Sequence, residues 1–188
     1  TQKLLESAFA DGVFSGDRKE TTFFRNANAD GAQHTLFIGL GEASKVDAEG
    51  LRVAAAMTLS SLKANKVTSA GVHMGSATKA VKDSAIAVQS LAEGFWLSLY
   101  EFTDLKSKPK EDKKDVKSAK PTLNEITSLF SGAPTTVQQK ALARAEVLSE
   151  CQNFARWLGD NPGNYMTPTI LADETVKAAK GTGLKVTV

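Results

Sequence analysis

Cysteine is all but missing from these 188 residues. Cys151 stands alone, so no internal disulfide framework can form, and such usage suits a reducing compartment. Histidine is nearly as scarce, with only His34 and His73. No His-Glu-x-x-His run sets two imidazoles on one helical face, so that zinc-peptidase signature is excluded. Long apolar runs are missing as well. None approaches the ~20 residues that would span a bilayer. The opening Thr1-Gln2-Lys3-Leu4-Leu5-Glu6 lacks the apolar core of a signal peptide. Charge of one sign is also not in excess. Lys and Arg number 23 against 21 Asp and Glu, a formal +2, so no global field argues for nucleic acid. The expectation is a cytoplasmic protein without a membrane partner.

The residues present describe a globular chain. It is 41% hydrophobic and 23% charged, long enough for one large domain or for one domain and part of another. Gln2 to Ala10 suits a short helix. Thr21–Arg25 and His34–Leu40, rich in β-branched and aromatic residues and separated by a polar turn, predict a hairpin. Asp47 is placed to cap a helix over Gly50–Ala64, whose Leu51, Ala54, Ala55, Leu59 and Leu62 recur every three or four residues. Val67–His73 reads as a strand. Lys79–Tyr100 reads as one long helix with Val88, Leu91, Ala92, Phe95, Trp96 and Leu99 on its core face. Thr122–Phe130 reads as a further strand. Thr135 or Thr136 is placed to cap a helix running to about Trp157. That helix carries two apolar stripes, Ala141–Ala145–Leu148–Ala155 and Val147–Cys151–Phe154–Leu158, which predict contact on two sides. Cys151 would then be a small buried hydrophobe, since no base is placed to make it a nucleophile. Strands alternating with helices predict an α/β domain with helices covering a mixed sheet.

Three features invite a sharper reading. Gly39-Leu40-Gly41 follows a strand and could cradle a phosphate, but it lacks the third glycine of a dinucleotide loop, so a plain strand-to-helix turn competes with it. His73 ends a strand with no second ligand at metal spacing. Residues 106–120 hold seven lysines against Glu111, Asp112 and Asp115, a local +4 that leaves 2 − 4 = −2 for the rest. That run reads as a solvated loop or mobile insertion. A nucleic-acid patch is the alternative, though no aromatic side chain interleaves the lysines.

The last stretch is the most informative. Pro162 and Gly163 stop the incoming helix, Thr167 is placed as an N-cap with Pro168 at the first helical position, and Gly181 and Gly183 end the new helix. Leu184–Val188 alternates like a strand. The residues Arg156, Leu158, Pro162, Asn164, Thr167, Pro168, Leu171 and Ala172 resemble the junction of leucyl (cytosol) aminopeptidases, where an Arg-x-Leu helix end meets an Asn-x-Pro-x-Asn-like loop and then Thr-Pro-x-x-Leu-Ala. Trp157 replaces a frequent acidic residue and Gly163 a usual alanine. Glu93-Gly94, and Tyr100 with Phe102, echo the same family upstream.

The resemblance implies residues 1–133 as a macro-domain-like N-terminal α/β domain, 134–160 as an interdomain helix, and 161–188 as the start of a second α/β domain. It implies a peptidase that removes N-terminal residues with two divalent ions, zinc or manganese, and assembles as a homo-hexamer. The metal ligands and catalytic residues of the family lie in a downstream catalytic domain, so no catalytic, cofactor-binding or metal residue is assigned within this chain. Asp173 and Glu174 diverge on a helix, and Asp112 and Asp115 lie in the lysine run. Some bacterial relatives bind DNA. Rival readings are a free-standing macro-like nucleotide or ADP-ribose module, and a DNA-binding regulatory subunit.

Overall fold

The computed structural model describes residues 1–28, 30–106 and 123–188. The lysine run, apart from Lys106, lies outside them.

Helix α1 (Gln2–Ala10) ends at Asp11 and Gly12, the latter at φ +66°. Its Phe9 meets Phe14 at 5.4 Å, and Phe14 meets Phe37 at 5.7 Å, which ties the helix to the hairpin behind it. Strands β1 (Thr21–Phe24) and β2 (Thr35–Ile38) pair antiparallel, Thr21 opposite Ile38 and Phe24 opposite Thr35. Asn26, Asn28 and Asp30 take the left-handed region in the connecting turn, where short polar side chains are tolerated.

Helix α2 (Ala48–Ala64) starts at Asp47, whose side chain accepts from the Gly50 N–H at 2.7 Å. Leu51, Ala55 and Leu59 lie on its core side, fully buried. Strand β3 (Ser69–His73) leads into α3 (Gly75–Ala80) and then α4 (Ser84–Leu99). The single helix expected over Lys79–Tyr100 is therefore two. Val81 is extended, and Asp83 starts α4 by accepting from the Ala85 N–H at 2.8 Å. An apolar rhythm carries no mark for such a restart; the aspartate does.

Strand β4 (Glu125–Leu129) pairs parallel with β3 in the register Ser69 to Glu125 and His73 to Leu129. Helix α5 (Thr136–Asp160) starts in a capping box formed by Thr135 and Gln138. Helix α6 (Pro168–Ala179) starts at Thr167 with proline in its first turn.

The α/β class with flanking helices holds. Both strand polarities occur, but among the described residues they form two separate two-stranded sheets rather than one continuous sheet. Partners at matching offsets show that three helices run the same way. Arg52 and Lys63 of α2 reach Glu93 and Glu101, at and just beyond α4, while Asn153 and Arg156 of α5 reach Trp96 and Leu97. Helix α4 is central. Its Ala87, Leu91 and Phe95 join Leu51, Ala55, Leu59, Met74 and Ala77 in the core, against Val72 and Ile126 of the parallel strands.

Further expectations fail. Leu99, placed on the core face of its helix, is 44% exposed. Leu184–Val188 forms no strand: among the described residues no strand lies beside it to pair with, and Val188 is 90% exposed. Cys151 is exposed rather than buried. The face of α5 toward α4 is Ala141, Ala145 and Ser149, small residues four apart, and Cys151 lies roughly 200° around the helix from Ser149. The second apolar stripe of α5 is accordingly open at Val147 and Cys151 and half-buried at Phe154 and Leu158.

Candidate functional site

Two of the residues that carried the family resemblance, Tyr100 and Arg156, meet where α4 and α5 end. The last four carbonyls of α4, from Trp96 to Leu99, have no partner within the helix. Two are taken by α5. The Asn153 Nδ2 donates to the Trp96 carbonyl at 3.2 Å, and the Arg156 Nη1 donates to the Leu97 carbonyl at 2.9 Å. The Arg156 guanidinium lies 4.2 Å over the Tyr100 ring. The Tyr100 hydroxyl donates to the Asp160 carboxylate at 2.7 Å, and the Trp157 indole N–H donates to Asp104 at 2.7 Å. Desolvation, then the hydrogen bond to Asp160 and its charge, push the Tyr100 phenol up to about 12, so it remains a donor throughout the physiological range. This junction fixes the direction in which the chain leaves α5 toward Pro162 and α6. Trp157, a departure from the family pattern, supplies a bond of its own.

Beside the junction lies an open groove of about 730 Å3, with α4 as its floor and α2 and α5 as its walls. Gly94 makes this layer possible: a Cβ there would meet the Arg52 carbonyl oxygen at 2.4 Å and the Ala55 Cβ at 2.7 Å. On the α2 side the Arg52 Nε donates to Glu93 at 2.7 Å and its Nη1 to Glu49 at 3.3 Å, while the Gln89 amide donates to the other Glu93 oxygen at 2.7 Å. The bond to Glu93 is the chief cause raising the Arg52 pKa above its ordinary value. On the α5 side the Ser149 hydroxyl is buried without a hydrogen-bond partner among the described residues. No sequence signal pointed to this groove, because its floor and walls come from three helices.

The other features resolve into structure. Gly39 packs on the 16–17 backbone, where a Cβ would lie 2.0 Å from the Asp17 carbonyl oxygen. Its N–H donates to the Glu20 carbonyl at 2.8 Å and the Gly41 N–H to the Gly16 carbonyl at 2.9 Å, so these amides are spent on the fold rather than offered to a phosphate. The Nδ1 atoms of His34 and His73 accept from the Asn26 and Gly75 amides at 3.0 and 3.2 Å. Glu174 pairs with Lys177 at 2.7 Å beside Asp173. Asp112 and Asp115 lie outside the described residues. Among those residues no three His, Cys, Asp or Glu side chains converge, and the donor set does not fit a two-metal centre. No described helix is long and apolar enough to cross a membrane.

An α/β domain whose last helix hands the chain on to a further helix is the class that this architecture defines. The description "Cytosol aminopeptidase family, N-terminal domain" matches residues 1–109. The chain is 37% identical to a probable cytosol aminopeptidase of Bdellovibrio bacteriovorus over 187 residues, 99% of this chain and 36% of that protein. It is 31% identical to that of Solibacter usitatus over 180 residues, 96% of this chain and 34% of that protein. Two solved structures share the fold. The bottromycin maturation enzyme BotP in complex with Mn superposes with a TM-score of 0.73 at 23% identity, over 95% of this chain and 34% of that one. A mutant tomato leucine aminopeptidase superposes with a TM-score of 0.71 at 22% identity, over 94% of this chain and 32% of that one. The chain belongs to the cytosol aminopeptidase family and corresponds to its N-terminal part. It spans about a third of the length of the relatives it matches.

Proposed function

We propose that this chain is the non-catalytic front part of a leucyl aminopeptidase, a two-metal exopeptidase that removes N-terminal residues from peptides. The observation that carries this reading is the α4–α5 junction. Arg156 and Tyr100, two of the residues shared with the family pattern, stack on one another and set the course of the chain toward α6. Among the described residues no three His, Cys, Asp or Glu side chains converge; in this reading the divalent ions, zinc or manganese, are held by residues outside this chain. Those ions would activate water and polarise the scissile carbonyl. The N-terminal domain would serve assembly, as a homo-hexamer in the cytoplasm, and framing of the entrance to the active site.

The test is an assay with a leucine anilide in the presence of manganese or zinc. Residues 1–188 alone should give no turnover, and activity should appear when the downstream segment is supplied as a separate chain. Turnover by residues 1–188 alone would overturn the proposal.

A further inference from the structure

We propose that the groove between α2 and α5 is a docking surface for the part of the same protein that follows Val188. This rests on the reading of the chain as the front part of a longer aminopeptidase. The groove combines apolar wall with unspent hydrogen-bonding capacity. Arg52 uses its Nε and one Nη1 hydrogen on Glu93 and Glu49, and among the described residues nothing takes its remaining N–H groups. Ser149, 1% exposed, leaves its hydroxyl unpartnered at the foot of the opposite wall. An unsatisfied buried hydroxyl costs stability unless a partner reaches it.

The chemistry selects the occupant. Two carboxylates around one guanidinium leave the groove at net −1, so an anionic ligand is repelled while a neutral acceptor is not. A polypeptide backbone supplies neutral carbonyls together with apolar side chains. Leu148, 44% exposed on the α5 wall, continues into Val147 on the open side of α5. Helix α6 has no buried residue, and Leu184 is 72% exposed, so the end of the chain is not packed either. The relatives are nearly three times as long as this chain, which spans 36% of the Bdellovibrio protein. The same polypeptide therefore has ample length to return onto this surface.

The experiment uses the full-length protein with the photo-reactive residue benzoylphenylalanine replacing Gln152, which lines the groove on α5. Irradiation should give a cross-link within one chain, to a peptide beyond residue 188, identified by mass spectrometry at monomer mass. A cross-link at dimer mass, to a second copy, would overturn the proposal. So would cross-linking no stronger than that from the same group at exposed Asp11. Leu148→Glu in the full-length protein should lower Tm by several degrees by placing a charge in the contact; an unchanged Tm counts against it. Hydrolysis of a leucine anilide by the same preparation separates the two readings. An active enzyme without the cross-link removes the docking surface alone, and an inactive one with the cross-link removes the peptidase reading alone.

Discussion

The guanidinium of Arg156 lies 4.2 Å over the ring of Tyr100 while its Nη1 donates to the Leu97 carbonyl at 2.9 Å. One side chain of α5 thus caps the end of α4 and stacks on the residue that follows it. Arg156→Ala removes both contacts and should cost about 1–2 kcal/mol, from one charge-assisted hydrogen bond and one exposed cation–π contact. Arg156→Lys keeps a cation but loses the planar fork, and should fall between. Trp96 and Trp157 flank the junction, so urea unfolding followed by tryptophan fluorescence reads both stability and local packing. An unchanged midpoint and spectrum in Arg156→Ala would show that other contacts hold the junction.

Glu20 holds a loop by its carboxylate. It accepts from the Ser15 hydroxyl at 2.7 Å and from the amides of Ser15, Gly16 and Asp17 at 2.8 to 3.1 Å. The Ser15 hydroxyl bond is the largest cause; desolvation opposes it, the amide bonds reinforce it, and the carboxyl sits below its ordinary 4.5. A depressed folded pKa gives a contribution that is complete above the unfolded value and is lost as pH falls through the folded one. Glu20→Gln should therefore be less stable than the parent at neutral pH, and the gap should close in acid. Tm measured from about pH 7 down to about pH 3 checks this. A gap that persists at the acid end would mean that shape, not charge, holds the loop.

Gly94 is where α2 and α4 touch backbone to helix. An added methyl meets the Arg52 carbonyl oxygen at 2.4 Å, which cannot move away without shifting α2. Gly94→Ala should cost roughly 1–3 kcal/mol, the range for overpacking. Gly132→Ala is the control, since a Cβ there meets nothing within 4 Å. Equal midpoints for the two variants in urea would contradict the close approach.

Much of this was legible in the sequence because caps are local. Asp47, Thr135 and Thr167 each precede an apolar rhythm, and each accepts the N–H that its position predicts. Asp83 was equally visible, but the apolar pattern of Lys79–Tyr100 ran across it and hid the break. Leu184–Val188 has the alternation of a strand, yet a strand needs a neighbour, and alternation does not supply one. Cys151 looked buried because a helix with a broad apolar band can be partnered on either side. Only the spacing of Ala141, Ala145 and Ser149 against α4 decides which side is used. The groove was out of reach for a deeper reason: Arg52, Glu93 and Ser149 lie far apart in the chain and line one groove only because α2, α4 and α5 run the same way. By contrast, the resemblance at Arg156 and Tyr100 was readable, and the structure supplied what it lacked, the contact between them.

Phe95 and Trp96 are neighbours on α4 with different surroundings, which makes them a paired probe. Phe95 is 7% exposed and belongs to the central cluster with Leu51, Ala55 and Leu91. Truncation there removes a ring from a packed interior and leaves a cavity, so Phe95→Ala should cost about 3–5 kcal/mol. Trp96 is half-buried, and its carbonyl, which accepts from Asn153, survives substitution. Trp96→Ala should cost roughly half as much, since the loss scales with the apolar area removed from water. Thermal unfolding of both variants in the full-length protein gives the order. On the proposed reading of the full-length protein as a peptidase, activity in Phe95→Ala should fall only at temperatures where the protein unfolds. Lost activity with an unchanged Tm would instead place the aromatic pair in contact with the active site and remove it from the core.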